Sequence, residues 1–199
     1  MVRLLVTGTP GVGKTTIAME LSRTYGIPMV NINEVLKPVL KWDAELMTNY
    51  ITDENRARIL VRDYLRSFNS YIIDTVAVNL FDESLIDWCI VLRLNPLYLM
   101  DRLSRRGWSR CKVVENVLAE VVGSSISMAI NVFGVDRVIE VDTTGMSVHE
   151  VVNSIINYIS SGRAIVGVVD WLDFLDTGTI ISLDQELSKC LSILNDQYT

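Results

Sequence analysis

The chain has 199 residues, enough for one domain with a sizeable core, and 49% of them are hydrophobic. Lys and Arg total 18 against 24 Asp and Glu, a net charge of −6. That balance argues against broad, non-specific nucleic-acid binding, which needs a positive surface. No apolar run approaches the roughly twenty residues of a membrane span. The first apolar residues lead straight into a glycine-rich loop, so no signal peptide is expected and a cytoplasmic location is.

The strand-like "RLLVT" (3–7) opens the chain and passes into Gly8-Thr9-Pro10-Gly11-Val12-Gly13-Lys14-Thr15. Two glycines separated by four residues and followed by Lys and Thr form the phosphate-loop pattern. The glycines let the backbone turn its N–H groups inward, and Lys14 brings a mobile charge to the outer phosphates. Thr15 offers a hydroxyl to a magnesium ion. A helix, "KTTIAMELSRTY", follows with Ile17, Leu21 and either Met19 or Tyr25 to bury, and its positive dipole end faces the same anion. This strand–loop–helix setting is the context the motif requires.

Further along, "GIPMVNI" (26–32) reads as a turn and short strand, and "NEVLKPVLKW" as a partial helix broken at Pro38. Thr52 is the expected N-cap of the next helix, which buries Ile59, Leu60, Tyr64, Leu65 and Phe68. "YIID" (71–74) is a strand ending in Asp74, and "WCIVLRL" (88–94) is another. Asn95-Pro96 opens a helix running to Gly107. Ser109 caps a longer one with Val113, Val114, Val117, Leu118, Val121 and Val122 on one side, kinked near Gly123. "RVIEV" (137–141) is the next strand, and the helix from Val148 to about Ile159 begins at a Ser147/Glu150 capping box. Strands alternate with helices, so the sheet is expected to be mainly parallel and covered on both faces. After Ser161-Gly162, residues 163–199 form an extension, expected to pack on the core through Trp171, Leu172 and Phe174 or to serve as an interface. Cys89, Cys111 and Cys190 are odd in number and widely spaced, and are expected as free thiols in a reducing compartment. His149 is the single histidine, which leaves little for a zinc site.

Four further features bear on chemistry. Asp74, at a strand end, is placed to hold magnesium directly or through water. Arg93 ends the next strand at the same ligand-binding edge. In "RLSRRGWSRCK" (102–112) four arginines and a lysine surround a glycine, the makings of a hinged basic lid that stabilises a transferring phosphoryl group and excludes water. The segment of about 31–69 is too long for a simple crossover. It carries Asn31, Asn33, Glu34, Asp53, Arg56 and Arg58, and is expected to form a pocket for a second phosphate-bearing molecule.

"LLVTGTPGVGKTT" with "IVLRLNPLYLMDRLSRRGWSRCKVVENVLAE" resembles the CINAP/Fap-type atypical adenylate kinases, nucleoside-monophosphate kinases of archaea and eukaryotic nuclei. The likeness covers roughly residues 1–160. It implies a three-layer α/β P-loop nucleoside-monophosphate kinase fold with a five-stranded parallel sheet and helices on both faces, plus the C-terminal extension. Residues 1–162 would be the kinase domain, with a monophosphate-binding region at about 31–69 and a lid at about 105–115. It implies magnesium-dependent transfer of the ATP γ-phosphate to AMP or another monophosphate. Gly11, Gly13, Lys14, Thr15 and Thr16 would hold ATP phosphates, with Arg106 reaching ATP from the lid. Lys14, Arg106, Asp74 and Arg93 form the expected catalytic set. Thr15 and Asp74 are the expected magnesium ligands, and Asn31, Asp53 and Arg56 the expected monophosphate contacts. Gly145-Met146 would lie beside adenine. The family is also implicated in small-ribosomal-subunit maturation through a basic S11-type protein, so an assembly ATPase is the alternative reading. A nucleotide-binding module without catalysis is the third. The chain departs from the family at Asp74-Thr75-Val76, where Val76 stands in place of a histidine and cannot orient water.

Overall fold

The computed structural model describes residues 1–43 and 48–196. Residues 44–47 of the expected monophosphate region and 197–199 of the extension lie outside the described residues. Strand β1 (Arg3–Thr7) leads into helix α1 (Lys14–Tyr25) and then β2 (Met29–Val30). A short α2 (Asn33–Leu36) passes into a 3-10 turn at Pro38 and an antiparallel hairpin, β3 (Leu40–Asp43) and β4 (Thr48–Ile51). Helix α3 (Glu54–Leu65) leads to β5 (Tyr71–Asp74) and β6 (Trp88–Arg93). Then come α4 (Pro96–Arg105), α5 (Arg110–Val121), α6 (Ser124–Phe133), β7 (Val138–Asp142) and α7 (Val148–Ser161). The extension contributes α8 (Trp171–Phe174) and α9 (Thr177–Asp196).

The main sheet is parallel, five-stranded and ordered β2-β5-β1-β6-β7. Its strands read as unbroken apolar runs because both faces are covered. The two-residue period sorts them between two cores. Leu4, Val6, Ile72, Ile90 and Leu92 point toward α1, α4, α5 and α7. Leu5, Ile73, Cys89 and Val91 point toward α2, α3 and α6. β1 lies between β5 and β6, so the chain leaves it at a switch point, where parallel sheets open a crevice at their carboxyl ends.

Several local expectations are corrected. Asp53, not Thr52, caps α3, accepting from the Arg56 amide at 2.9 Å, while the Thr52 hydroxyl donates to the Val39 carbonyl. Ala57, Val61 and Leu65 form the buried face of α3, and Ile59, expected to be buried, is exposed. The β3–β4 hairpin replaces an expected helix end. The kink expected near Gly123 is present: Gly123, in a left-handed conformation, separates α5 from α6 at a 53° bend. Ser147 and Glu150 do form the capping box of α7.

The cysteines differ most. Cys111 and Cys190 form a disulfide, and only Cys89, buried within strand β6, is free. α9 lies along α5 and brings the two Cα atoms to 5.7 Å across 79 residues, a proximity that spacing in the chain does not encode. Leu175 and Leu183 join the core on this side. Trp171 is buried, whereas Leu172 and Phe174 stay exposed. Among the described residues no single helix is long and apolar enough to cross a membrane.

Candidate active site

The loop between β1 and α1 is pinned from two sides. A Cβ on Gly8 would come within 2.4 Å of the Leu92 carbonyl oxygen, and one on Gly11 within 2.7 Å of Leu103. Glycine is therefore required where β6 and α4 close on the loop. Gly13 caps α1 with its backbone, so the first amides of that helix face the loop. Lys14 Nζ rests 3.3 Å from the Thr9 carbonyl oxygen. Burial pulls the Lys14 pKa down; Asp74 and then Glu120 oppose it, and Arg106 adds slightly to the lowering. Arg106 is thus near enough for its charge to act on that of Lys14.

Thr15 and Thr16 are exposed at the start of α1. The Thr15 hydroxyl donates to Asp74 Oδ2. The β1–β5 register, with Val6 opposite Asp74, sets the two side by side. A hydroxyl and a carboxylate are hard oxygen donors next to an anion site. That donor set fits magnesium held jointly with phosphate and water.

Beside the loop lies a cleft of about 210 Å³ lined by Val12, Gly13, Thr16, Ile17, Arg102, Thr143, Met146, Val148 and Val151. Its walls mix the apolar side chains of Val12, Ile17, Met146, Val148 and Val151 with the polar ones of Thr16, Arg102 and Thr143, a lining that can take a flat ring bearing polar edges. Gly145, in a left-handed turn, precedes Met146 on that wall.

The basic stretch is divided among different tasks. Arg102 donates to the Gly11 carbonyl at 2.9 Å, Arg105 pairs with Asp101, Arg110 grips Glu186 with two bonds, and Lys112 pairs with Glu115. Among the described residues no carboxylate or carbonyl holds Arg106, which sits at the end of α4 before Gly107. It is the arginine left for an incoming anion.

On the other flank, Asn31 follows β2 at the same sheet edge and its side chain accepts from the Asn33 amide. Asp53 and Arg56 lie in the first turn of α3, the end of that helix nearest the strand carboxyl ends. One Asp53 oxygen is engaged in the cap. Glu54 bonds both Arg58 and Asn79, which lowers its pKa and ties α3 to the segment after Asp74.

Arg93 requires correction. Its guanidinium is 3% exposed and locked between Glu120 and Glu140, at 2.8 and 2.5 Å. A side chain enclosed in this way holds structure and cannot reach a phosphate. Three residues absent from the expected set touch the loop or its supports: Arg102, Thr9 and Glu120. The signal for Glu120 was an acid on an otherwise apolar helical face, "VVENVLAEVV".

A family model described as an AAA domain (AAA_18) matches residues 4–123. A protein of Saccharolobus solfataricus named "Putative adenylate kinase" is 35% identical over 192 residues, 95% of this chain and 96% of the relative. Proteins of the same name from Methanocaldococcus jannaschii and Pyrococcus furiosus are 33% and 36% identical, over 86% and 84% of this chain and 93% and 90% of theirs. The chain belongs to this family of P-loop kinases. The 95% coverage carries the family likeness across most of the extension, beyond the span of about 1–160 expected from motif order. A gluconokinase of Sinorhizobium meliloti (TM-score 0.54, 14% identity, 80% of this chain and 92% of that one) shares the fold. So does a shikimate kinase of Bacteroides thetaiotaomicron (TM-score 0.50, 13% identity, 80% and 98%).

Proposed function

We propose that this kinase is a cytoplasmic adenylate kinase that moves the γ-phosphate of ATP to AMP with magnesium. The observation that carries the reading is the grouping on one sheet edge of Lys14, the Thr15–Asp74 pair and the unengaged Arg106. The relatives' shared name supports the choice of acceptor. ATP would lie with its base in the cleft beside Met146 and its phosphates on the loop amides of Gly11, Gly13, Lys14, Thr15 and Thr16. Magnesium, held by Thr15 and Asp74, would neutralise phosphate charge. AMP would enter between the loop and α3, where Asn31, Asp53 and Arg56 lie.

The chain's own residues then have distinct work. Lys14 and Arg106 converge on the charge that spreads over the transferring group, which is where electrostatic stabilisation matters most. α4 and α3 hold donor and acceptor in line, a contribution of position more than of proton transfer. Val76, 53% exposed beside Asp74, offers no group to activate water, consistent with transfer to an acceptor over hydrolysis.

Steady-state kinetics on two variants tests these roles. Lys14→Ala should remove measurable transfer. Arg106→Ala should lower kcat about 10²–10³-fold while the melting temperature stays near wild type. Either variant turning over at wild-type rate contradicts the assignment.

A further inference from the structure

Thr9, the second residue of the phosphate loop, is 2% exposed and turns its hydroxyl away from the phosphate cradle into the protein. There it donates to Glu120 Oε2 at 2.5 Å. The other Glu120 oxygen accepts from Arg93 Nε at 2.8 Å, the Leu94 amide at 3.2 Å and the Trp171 indole N–H at 3.1 Å. The carboxylate is 1% exposed. A buried carboxylate survives only if its donors are in place, and four donors from three parts of the chain leave this one a single position.

We propose that Glu120 is a positioning residue for the phosphate loop, and that the C-terminal extension sets it through Trp171. The inference rests on the reading of this loop as the ATP site. The route is short. Glu120 fixes the Thr9 side chain, and the Thr9 carbonyl is where Lys14 Nζ rests. A shift of Glu120 therefore displaces both the loop backbone and the lysine. The same charge also opposes the lowering of the Lys14 pKa. The extension makes a second bond into this network, from the Val168 amide to Glu140, the other carboxylate on Arg93. The extension is itself fastened to α5 by Arg110–Glu186 and by Cys111–Cys190. It packs on α5 and reaches the loop through the Glu120 of that helix.

The test uses the full chain with its disulfide intact and measures Mg-ATP affinity by calorimetry alongside the KM for AMP. Trp171→Phe keeps an aromatic ring and loses the indole donor; Thr9→Val keeps the shape and loses the hydroxyl. Each should weaken ATP binding about tenfold, the scale of one hydrogen bond to a charged group. The KM for AMP should stay within about twofold, a shift well under that scale. The double variant should be little worse than the poorer single one, because both changes act on the same carboxylate. Thr9→Ser should restore wild-type affinity. Variants that melt earlier yet bind ATP as wild type does would overturn the proposal and leave Trp171 a packing residue. Wild type that binds ATP but transfers phosphate to no monophosphate would sink the kinase reading instead, and the affinity comparison would still decide this one.

Discussion

Lys14 carries its charge in a place that disfavours charge. Burial lowers its pKa, two carboxylates counteract part of that, and Arg106 works against it. A polyphosphate arriving on the loop reverses the balance and favours the ammonium. The free protein therefore releases the Lys14 proton at a pH below the usual lysine range, and ATP binding above that point takes a proton up. Calorimetry in buffers of different ionisation heat should show this uptake at alkaline pH and little at neutral pH. ATP affinity should fall as pH rises through the lowered value. Equal heats in all buffers would show that Lys14 stays charged throughout. Arg93 has a structural task instead. Among the described residues it is the one cation paired with the buried Glu120 and Glu140, and Arg93→Ala should cost about 3–5 kcal/mol of stability. Denaturant titration measures this; a stable, folded and inactive variant would instead restore the catalytic role expected from its strand-end position. Val76→His should raise ATP hydrolysis without matching loss of transfer, read by following phosphate release with and without AMP.

At the scale of elements, the pairing of α9 with α5 adds what the phosphate-loop core lacks. The disulfide closes a loop across 79 residues, which in the chain-entropy view stabilises by about 4–5 kcal/mol. Burial also pushes the Cys89 thiol far up, so it stays protonated and shielded. A thiol reagent should find no reactive cysteine in the native protein, one after unfolding, and three after unfolding with reduction. Reduction without denaturant should lower the melting temperature. Three reactive thiols in unreduced, unfolded protein would show that the bond does not form in solution. Local sequence could announce the ends of α4, α5 and α7, since Asn95, Ser109 and Ser147 cap them from adjacent positions. It could not announce the disulfide, nor the hairpin, whose strands are four residues each and partly exposed.

For the whole molecule, the parallel sheet and its two covered faces were legible because unbroken apolar strands alternate with amphipathic helices. The phosphate loop was legible because its glycines and lysine fall within one short local stretch, Gly8 to Lys14, and Asp74 because it ends an apolar strand. What stayed hidden is the framework behind the loop. Thr9 and Glu120 are 111 residues apart, Glu120 and Trp171 51, and Arg93 and Glu140 47. No periodicity relates such positions. Arg93 was misjudged for the same reason: a strand end faces the ligand crevice, but its partners arrive from α5 and β7 to close it off. The extension is expected to pack on the core or serve as an interface, but nothing in its composition signals that its indole completes a buried carboxylate of the kinase core.

The central claim is tested most directly by mixing the purified full chain with Mg-ATP and AMP and following ADP and free phosphate separately. Two ADP should appear for each AMP consumed, with no free phosphate and no reaction when AMP is omitted. Free phosphate released at the same rate with or without AMP, and no ADP formed from AMP, would contradict the account and make the chain an ATPase.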